Sequence, residues 1–154
     1  SFVCSDADSI ISGKTPAVKQ LLEVYQQTSA SVIGVQKIKD KNAMTKYGNV
    51  YAEQTANKQV YKVKEFVEKP TLEKVSPLGL IVGGMRYVLT TDIWPILLKQ
   101  KKGRSGEIWL AEAANILARQ KDFFAYEYEG KYLDTGNQDA LLDAASFFKN
   151  NTPV

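Results

Sequence analysis

The stretch "TPAVKQLLEVYQQTSASVIGVQKI", residues 15–38, decides the fold class. It opens with Thr15, a candidate N-cap, and Pro16 at the first predicted helical position. Apolar residues then recur at helical spacing, at Ala17, Leu21, Val24 and Tyr25. The β-branched "ASVIGVQKI" is typical of a strand, as is "FVC" at residues 2–4. The order strand, helix, strand predicts a parallel pair joined by a right-handed crossover in an α/β sheet.

Downstream of this unit the pattern changes to a run of strands. Two alternating runs within residues 48–69 flank the turn-like "TANK" and predict a hairpin. "LGLIVGGMRYVLT" predicts a further strand, interrupted by Gly83 and Gly84. Two short strands are expected about Gly130. Helices are predicted over residues 92–100, 105–120 and 137–150, with a frayed tail at 151–154.

Composition excludes several classes of function. The 154 residues, 44% apolar and 24% charged, fit one globular domain. No apolar run reaches the ~18 residues of a membrane span, and a net charge of +3 with scattered lysines argues against nucleic acid. The single cysteine, expected in a buried strand, allows no internal disulfide and favours a reducing, cytoplasmic location. The lack of histidine removes Ser-His-Asp chemistry and the usual zinc sites, which leaves carboxylates, lysines, backbone amides and a hard metal ion.

Acidic residues follow two of the predicted strands, where ligands bind in open α/β sheets. Asp6 and Asp8 come after "FVC", and Asp134 comes after "KYL". Asn137, not Asp134, stands at the N-terminal boundary of the last predicted helix, so Asp134 is not needed as its cap. Two such acids can share Mg²⁺, but spacing alone favours the interpretation that they are turn residues.

The hairpin ends in a second polar motif, "EFVEKP". If the strand continues to Pro70, Glu68 and Lys69 point to opposite faces, and the proline restricts Lys69 to an extended backbone. A carboxylate can accept hydrogen bonds from sugar hydroxyls, and an ammonium suits phosphate. On pattern alone, however, the motif is better explained as the end of an edge strand with solvated charges.

Six motifs in this order resemble the sugar-phosphate nucleotidyltransferases, and more narrowly those that act on UTP and glucose 1-phosphate. They are "DSIISGKTPAVKQLLEVYQQTSASVIGVQKI", "YGNV", "EFVEKP", "RYVLTTDIWPIL", "GEIWLAEAANIL" and "YLDTGN". The resemblance implies a Rossmann-like α/β fold, with a mixed, mostly parallel sheet flanked by helices. It also implies that a sugar 1-phosphate attacks the α-phosphate of a nucleoside triphosphate, with Mg²⁺, and releases pyrophosphate.

The resemblance further implies two metal ligands. Asp8 aligns with the first Mg²⁺-binding acid of the family, although Ala7 and Ser9 replace its usual neighbours. Asp6 is the alternative ligand. Asp134 aligns with the second metal-binding acid.

Sugar and phosphate contacts are carried over in the same way. Glu68 is expected to accept bonds from sugar hydroxyls, and Lys69 to meet the sugar phosphate as the catalytic residue. Gly48 aligns with a glycine whose backbone approaches the sugar. Further candidates for sugar binding are Val82, Gly83 and Gly84, in a segment that carries extra residues relative to the family pattern.

The resemblance implies that residues 1–150 are the C-terminal part of a single nucleotidyltransferase domain, with 151–154 as a tail. The phosphate loop and base-recognising residues of the N-terminal half are absent, so this chain alone is expected to be inactive. The base and sugar stay open, as does homo-oligomer formation. One rival hypothesis, motivated by Ala7 and Ser9, is a non-catalytic sugar-nucleotide-binding or regulatory homologue. Another is an α/β domain whose acids only form caps and turns.

Overall fold

The computed structural model describes residues 1–102 and 106–151. Within them the strands are β1 (Phe2–Ser5), β2 (Ser9–Ser12), β3 (Ser31–Lys37), β4 (Asn49–Gln54), β5 (Val60–Val67), β6 (Leu80–Ile81), β7 (Arg86–Leu89), β8 (Phe123–Glu127) and β9 (Lys131–Asp134). The helices are α1 (Ala17–Thr28), α2 (Lys41–Met44), α3 (Ile93–Lys99), α4 (Leu110–Gln120) and α5 (Gln138–Asn151), with a 3₁₀ turn at Leu72–Lys74.

Seven strands form one mixed sheet in the order β1-β7-β3-β6-β4-β5-β8, and β8 also pairs with β3. The predicted α/β class with a mixed sheet is confirmed. The predicted predominance of parallel pairs is wrong, because among the described strands only β3 and β8 pair in parallel. Strands β1 and β3 run in the same direction but are not neighbours, since β7 lies between them and is antiparallel to both.

The predicted hairpin and the interrupted strand are both confirmed. Strands β4 and β5 pair antiparallel, with a register shift between Tyr51 and Ala52. The glycine-containing segment forms two strands, β6 and β7, which pair with successive parts of β3. Strands β2 and β9 are separate from this sheet and form a two-stranded sheet of their own.

Helix ends differ in detail from the sequence prediction. Helix α1 begins after Pro16, which lies just outside it with φ −53°. Helix α4 begins at Leu110, whereas the helix predicted over 105–120 starts at a residue outside the described ranges. Asn137 caps α5 as expected, because its Oδ1 accepts the Ala140 N–H at 3.0 Å. Of the predicted tail, Asn151 is helical and 152–154 lie outside the described residues.

The core lies on both faces of β3. One cluster packs β3, β5 and β7 against α3 and α4, with Tyr61 and Phe123 as its largest fully buried side chains. A second cluster packs α1 through Leu21 and Val24 onto the other face. Cys4 lies in β1 as expected but is only half-buried. In the part of the chain that the structure describes, no helix is long and apolar enough to cross a membrane.

Candidate functional site

Three neighbouring strands bring Gly48, Glu68 and Val82 side by side. Asn49 at the start of β4 faces both Val67 of β5 and Ile81 of β6, so Gly48 lies alongside the residues that follow those two strands. A Cβ on Gly48 would lie 3.0 Å from Glu68 Oε2 and 3.5 Å from Val82 Cγ2. The Val82 N–H donates to the Gly48 carbonyl at 2.8 Å. We call these three residues, which the sequence motifs predicted to meet a sugar, the sugar-side cluster.

Gly83 and Gly84 are buried behind this cluster. The Tyr128 hydroxyl donates to the Gly83 carbonyl at 2.5 Å, and a Cβ on Gly83 would lie 3.0 Å from Gln36 Oε1. Gly84 has φ +66°, and a Cβ there would lie 3.0 Å from the Tyr132 ring. The backbone can turn at Gly84 because glycine lacks the Cβ that disfavours this conformation and would meet the ring.

Lys69 does not have the predicted extended backbone. Strand β5 ends at Val67, and Lys69 has φ +42°, in the left-handed region. This conformation is uncommon for a residue with a side chain and is strained. Pro70 is buried while Glu68 and Lys69 are exposed, so packing of the proline overrides the local preference of the residue before it. The result is a charged side chain held at a bend beside Glu68.

Asp8 and Asp134 converge, although they are far apart in sequence. Ser9 of β2 faces Asp134 of β9, and the Thr135 N–H donates to the Asp8 carbonyl at 3.0 Å. A Cβ on Gly136 would lie 3.2 Å from Asp134 Oδ1 and 3.3 Å from Asp8 Oδ2, so both oxygens approach one point. We call these two residues the acid pair. Separation of the two acids would have favoured the hypothesis that they only form turns; they lie together, although Asp134 Oδ1 also accepts the Gly136 N–H of its own turn at 2.9 Å.

The route by which the acids meet differs from the expectation. We expected β1 and the strand ending at Leu133 to deliver them to one end of a common sheet. Instead, β9 pairs with β2, the strand that follows Asp8. The chain folds back after Asp8, and the short ladder it forms with β9 aligns the two carboxylates directly.

Asp6, the alternative metal ligand, is occupied by protein partners. Its carboxylate pairs with Arg86 at 2.7 Å, accepts the Met85 N–H at 3.1 Å and accepts the Ser9 hydroxyl. Among the residues that the structure describes, no hydrogen-bond donor or cation contacts the Asp8 carboxylate. The geometry therefore favours Asp8 as the acid available to a ligand.

Arg86 was missed by sequence reasoning. Its Nη2 also donates to the Ser9 carbonyl at 2.8 Å, so it ties the start of β7 to the start of β2. The signal was a charged residue opening an otherwise apolar strand, "RYVL".

Two tyrosines connect the sugar-side cluster with the acid pair. Tyr47, next to Gly48, and Tyr132, two residues before Asp134, make an edge-to-face contact with ring centroids 6.4 Å apart. Burial, followed by the negative charge of Asp134, raises the pKa of Tyr132 to about 12. Sequence reasoning missed this contact because nothing in the local pattern pairs these positions.

The acid pair offers the oxygen ligands that a hard divalent metal ion takes. Within residues 1–102 and 106–151, no group of three or more His, Cys, Asp or Glu side chains is placed to hold a metal. Mg²⁺ does not need such a cage, because it is commonly bound by one or two carboxylates together with substrate phosphates and waters. Two converging carboxylates, one without a protein donor, fit that pattern.

The chain belongs to the nucleotidyl transferase family, whose sequence model matches residues 2–151. It is 41% identical over 131 residues to UTP–glucose-1-phosphate uridylyltransferase 2 of Staphylococcus saprophyticus, covering 85% of this chain and 44% of that relative. The structure of an apo UDP-glucose pyrophosphorylase superposes with a TM-score of 0.89 at 31% identity, over 99% of this chain and 55% of that one. A UDP-glucose pyrophosphorylase complexed with UDP-glucose gives 0.84 at 33% identity, over 97% and 57%.

These similarities confirm the resemblance seen in the sequence motifs. They also show that the chain spans about half the length of the relatives it matches.

Proposed function

We propose that this chain is the C-terminal part of a UTP–glucose-1-phosphate uridylyltransferase and supplies the sugar side and the metal-binding acids of its active site. The observation that carries the proposal is the arrangement of the sugar-side cluster beside the acid pair, with Tyr47 and Tyr132 between them. The names of the relatives support UTP and glucose 1-phosphate as substrates. The proposal includes a cytoplasmic location, where nucleoside triphosphates are made and used.

The proposed reaction forms one bond and breaks another at the α-phosphorus of UTP. A phosphate oxygen of glucose 1-phosphate attacks that phosphorus, and the bond to the bridging oxygen of the β-phosphate breaks. UDP-glucose and pyrophosphate are the products. The attacking phosphate is already ionised near neutral pH, so the absence of histidine is no obstacle.

The residues of the sugar-side cluster would bind and orient the sugar. The exposed Glu68 carboxylate is an acceptor for sugar hydroxyls, and it lies close enough to Gly48 that a side chain there would crowd it. The missing side chain at Gly48 lets the backbone approach a ligand closely. Such contacts hold the reacting phosphate in place and thereby lower the entropic barrier to attack.

Lys69 would supply positive charge to the sugar phosphate. Its ammonium is exposed, and no carboxylate in the described ranges forms an ion pair with it. Asp8 and Asp134 would hold Mg²⁺, which when bound would offset the negative charge of the triphosphate. Together these groups favour the approach of two anionic substrates.

The test is a pyrophosphate-release assay on the full-length protein with UTP, glucose 1-phosphate and Mg²⁺. We expect turnover with this pair, and none from residues 1–154 alone. A clear preference for another nucleoside triphosphate or another sugar 1-phosphate would overturn the assigned substrates and keep the reaction class. Binding of UDP-glucose without turnover on any sugar 1-phosphate would overturn the enzymatic proposal in favour of a non-catalytic homologue.

A further inference from the structure

Asn49 is a completely buried amide directly behind the sugar-side cluster. Its side chain is 0% exposed and makes three hydrogen bonds. Nδ2 donates to the Met44 carbonyl at 2.8 Å and to the Tyr47 carbonyl at 3.0 Å. Oδ1 accepts the Ser76 N–H at 2.9 Å. Because an amide has two donor hydrogens, both are in use.

These bonds join the two loops that border the sugar-side cluster. Met44 is the last residue of α2 and Tyr47 lies in the turn that leads into Gly48, whereas Ser76 belongs to the segment that follows Lys69. The Ser76 hydroxyl adds a bond to the Val50 carbonyl at 2.8 Å, which fastens that segment to β4 a second time.

Gly48 depends on such support because it has no side chain to pack. Its position can be set only through its backbone and through its neighbours in the chain. One neighbour is Asn49 itself, which faces Val67 and Ile81 and so lies where β4, β5 and β6 meet. Displacing Asn49 would move Gly48 relative to Glu68 and Val82.

We propose that Asn49 is a positioning residue for sugar 1-phosphate, acting through the backbone at Tyr47–Gly48 and through the segment at Ser76. The inference deepens the proposed function and rests on it. Asn49 itself touches no substrate in this scheme. Its loss would therefore weaken the binding of the sugar substrate more than that of UTP.

Gln20 provides a matched control for the loss of a buried amide. It is 6% exposed, and its Nε2 donates to the Thr15 and Glu129 carbonyls, each at 2.8 Å. Its Oε1 accepts the Glu129 N–H at 2.8 Å. The inventory of two donated bonds and one accepted bond equals that of Asn49, but it joins α1 to the turn after β8.

The experiment compares Asn49→Leu and Gln20→Leu in the full-length protein. Both variants are expected to melt at a lower temperature than the wild type, because each loses three hydrogen bonds. Of these two leucine variants, only Asn49→Leu is expected to raise the KM for glucose 1-phosphate, by about tenfold, with the KM for UTP changed less than about twofold. Asn49→Asp, which keeps the acceptor for Ser76 and loses the donated bonds, is expected to give a smaller rise in the same KM.

The outcomes separate this inference from the proposed function. If the wild-type protein shows no turnover with any sugar 1-phosphate, the proposed function fails and the inference fails with it. If the wild type is active and both Asn49 variants keep the wild-type KM for glucose 1-phosphate, only the positioning role is overturned. It is also overturned if Gln20→Leu raises that KM equally, or if neither Asn49 variant folds, because Asn49 would then serve stability alone.

Discussion

The two parts of the candidate site are held in place by different means. The sugar-side cluster stands at the ends of three adjacent strands of the seven-stranded sheet, backed by the buried Asn49. The acid pair stands on a two-stranded sheet of four residues per strand, outside the larger one. Arg86 of β7 joins this small sheet to the larger one by donating to the Ser9 carbonyl at 2.8 Å, and the ion pair with Asp6 holds Arg86 in place.

The difference shows that side chains of a site can be positioned either by a large sheet or by one short pair of strands. Hydroxyl recognition needs several groups at fixed relative places, which a large sheet provides. A metal site of two carboxylates needs only their mutual spacing, which one short ladder provides. Changes in the two regions should therefore have distinguishable effects.

The largest effect is expected from neutralising the acid pair. Asp8→Asn and Asp134→Asn keep the side-chain shape but remove the charge that would bind Mg²⁺, so turnover of the full-length protein should fall about hundredfold or more. Pyrophosphate release at several Mg²⁺ concentrations measures this. Asp122→Asn is the control, because Asp122 is an exposed acid that pairs with Lys62 instead. Activity within a few-fold of wild type in both acid-pair variants would refute the metal assignment.

The next prediction concerns the ion pair between Asp6 and Arg86 and its effect on the free energy of unfolding. Asp6→Ala leaves Arg86, which is only 13% exposed, without its carboxylate partner, and it should lower the free energy of unfolding by about 2 kcal/mol. Asp8→Ala, two residues away, should change it by less than about 0.5 kcal/mol. Urea unfolding followed by circular dichroism compares the two. Equal losses would show that the two acids do not have separate roles.

Much of the fold was predictable because its signals are local. The hairpin, the glycine-interrupted strand and helices α1, α3, α4 and α5 follow from periodicity and turn residues, whereas the short helix α2 and strand β2 were not predicted. The insertion of β7 between β1 and β3 could not be predicted, because the order of strands in a sheet depends on contacts between distant parts of the chain. The excess of antiparallel pairs has the same origin: β6 and β7 return to β3 from far downstream in the sequence.

The site was predictable mainly through motif resemblance. Spacing alone left Asp8 and Asp134 as turn residues, and only the family motifs joined them. An extended backbone was predicted at Lys69 because Pro70 follows it. The structure instead has φ +42° at Lys69, where the buried proline overrides that preference. Asn49 gave one weak signal, a polar residue at the start of a strand, which sequence reasoning did not use.

A smaller effect is expected on the sugar side. Gly48→Ala would place a Cβ 3.0 Å from Glu68 Oε2, and the flexible end of Glu68 would have to move. We expect the KM for glucose 1-phosphate to rise about fivefold with little loss of stability, given that about 1 kcal/mol of binding corresponds to this factor. The control is Gly13→Ala, whose Cβ would lie 3.0 Å from the Glu129 carbonyl oxygen.

Steady-state kinetics and thermal melting distinguish these two glycine variants. Gly13→Ala should lower the melting temperature and leave the KM for the sugar unchanged. The reverse result would show that the close contact at Gly48 serves the fold and not the sugar side.

The smallest effect concerns alkaline pH. Burial first, and then the Asp134 charge, raise the pKa of Tyr132 from 10.0 to about 12. A raised folded-state pKa contributes stability that is present below the unfolded pKa and is lost as pH rises through the folded value. The wild type is therefore expected to lose part of its free energy of unfolding between pH 10 and 12. In Tyr132→Phe this loss should be smaller by about 1 kcal/mol or less, because the Tyr132 side chain is partly exposed to solvent.

Ultraviolet titration of tyrosinate checks the cause. Asp134→Asn should lower the pKa of Tyr132 only in part, because burial is the larger cause. Tyr61 is the internal control, since burial and its hydrogen bond to Glu127 raise its pKa to about 12. A shift of Tyr61 in Asp134→Asn would mean that the substitution had perturbed the whole fold.

The separate two-stranded sheet has a consequence for how this site tolerates change over evolution. The spacing of the acid pair depends on one pair of facing residues, Ser9 and Asp134, and on the turn at Gly136. Substitutions that repack the seven-stranded sheet to fit a different sugar would leave that spacing untouched. We therefore expect that sugar preference can diverge while the metal-binding acids are inherited unchanged, so that one part of the site varies and the other is conserved.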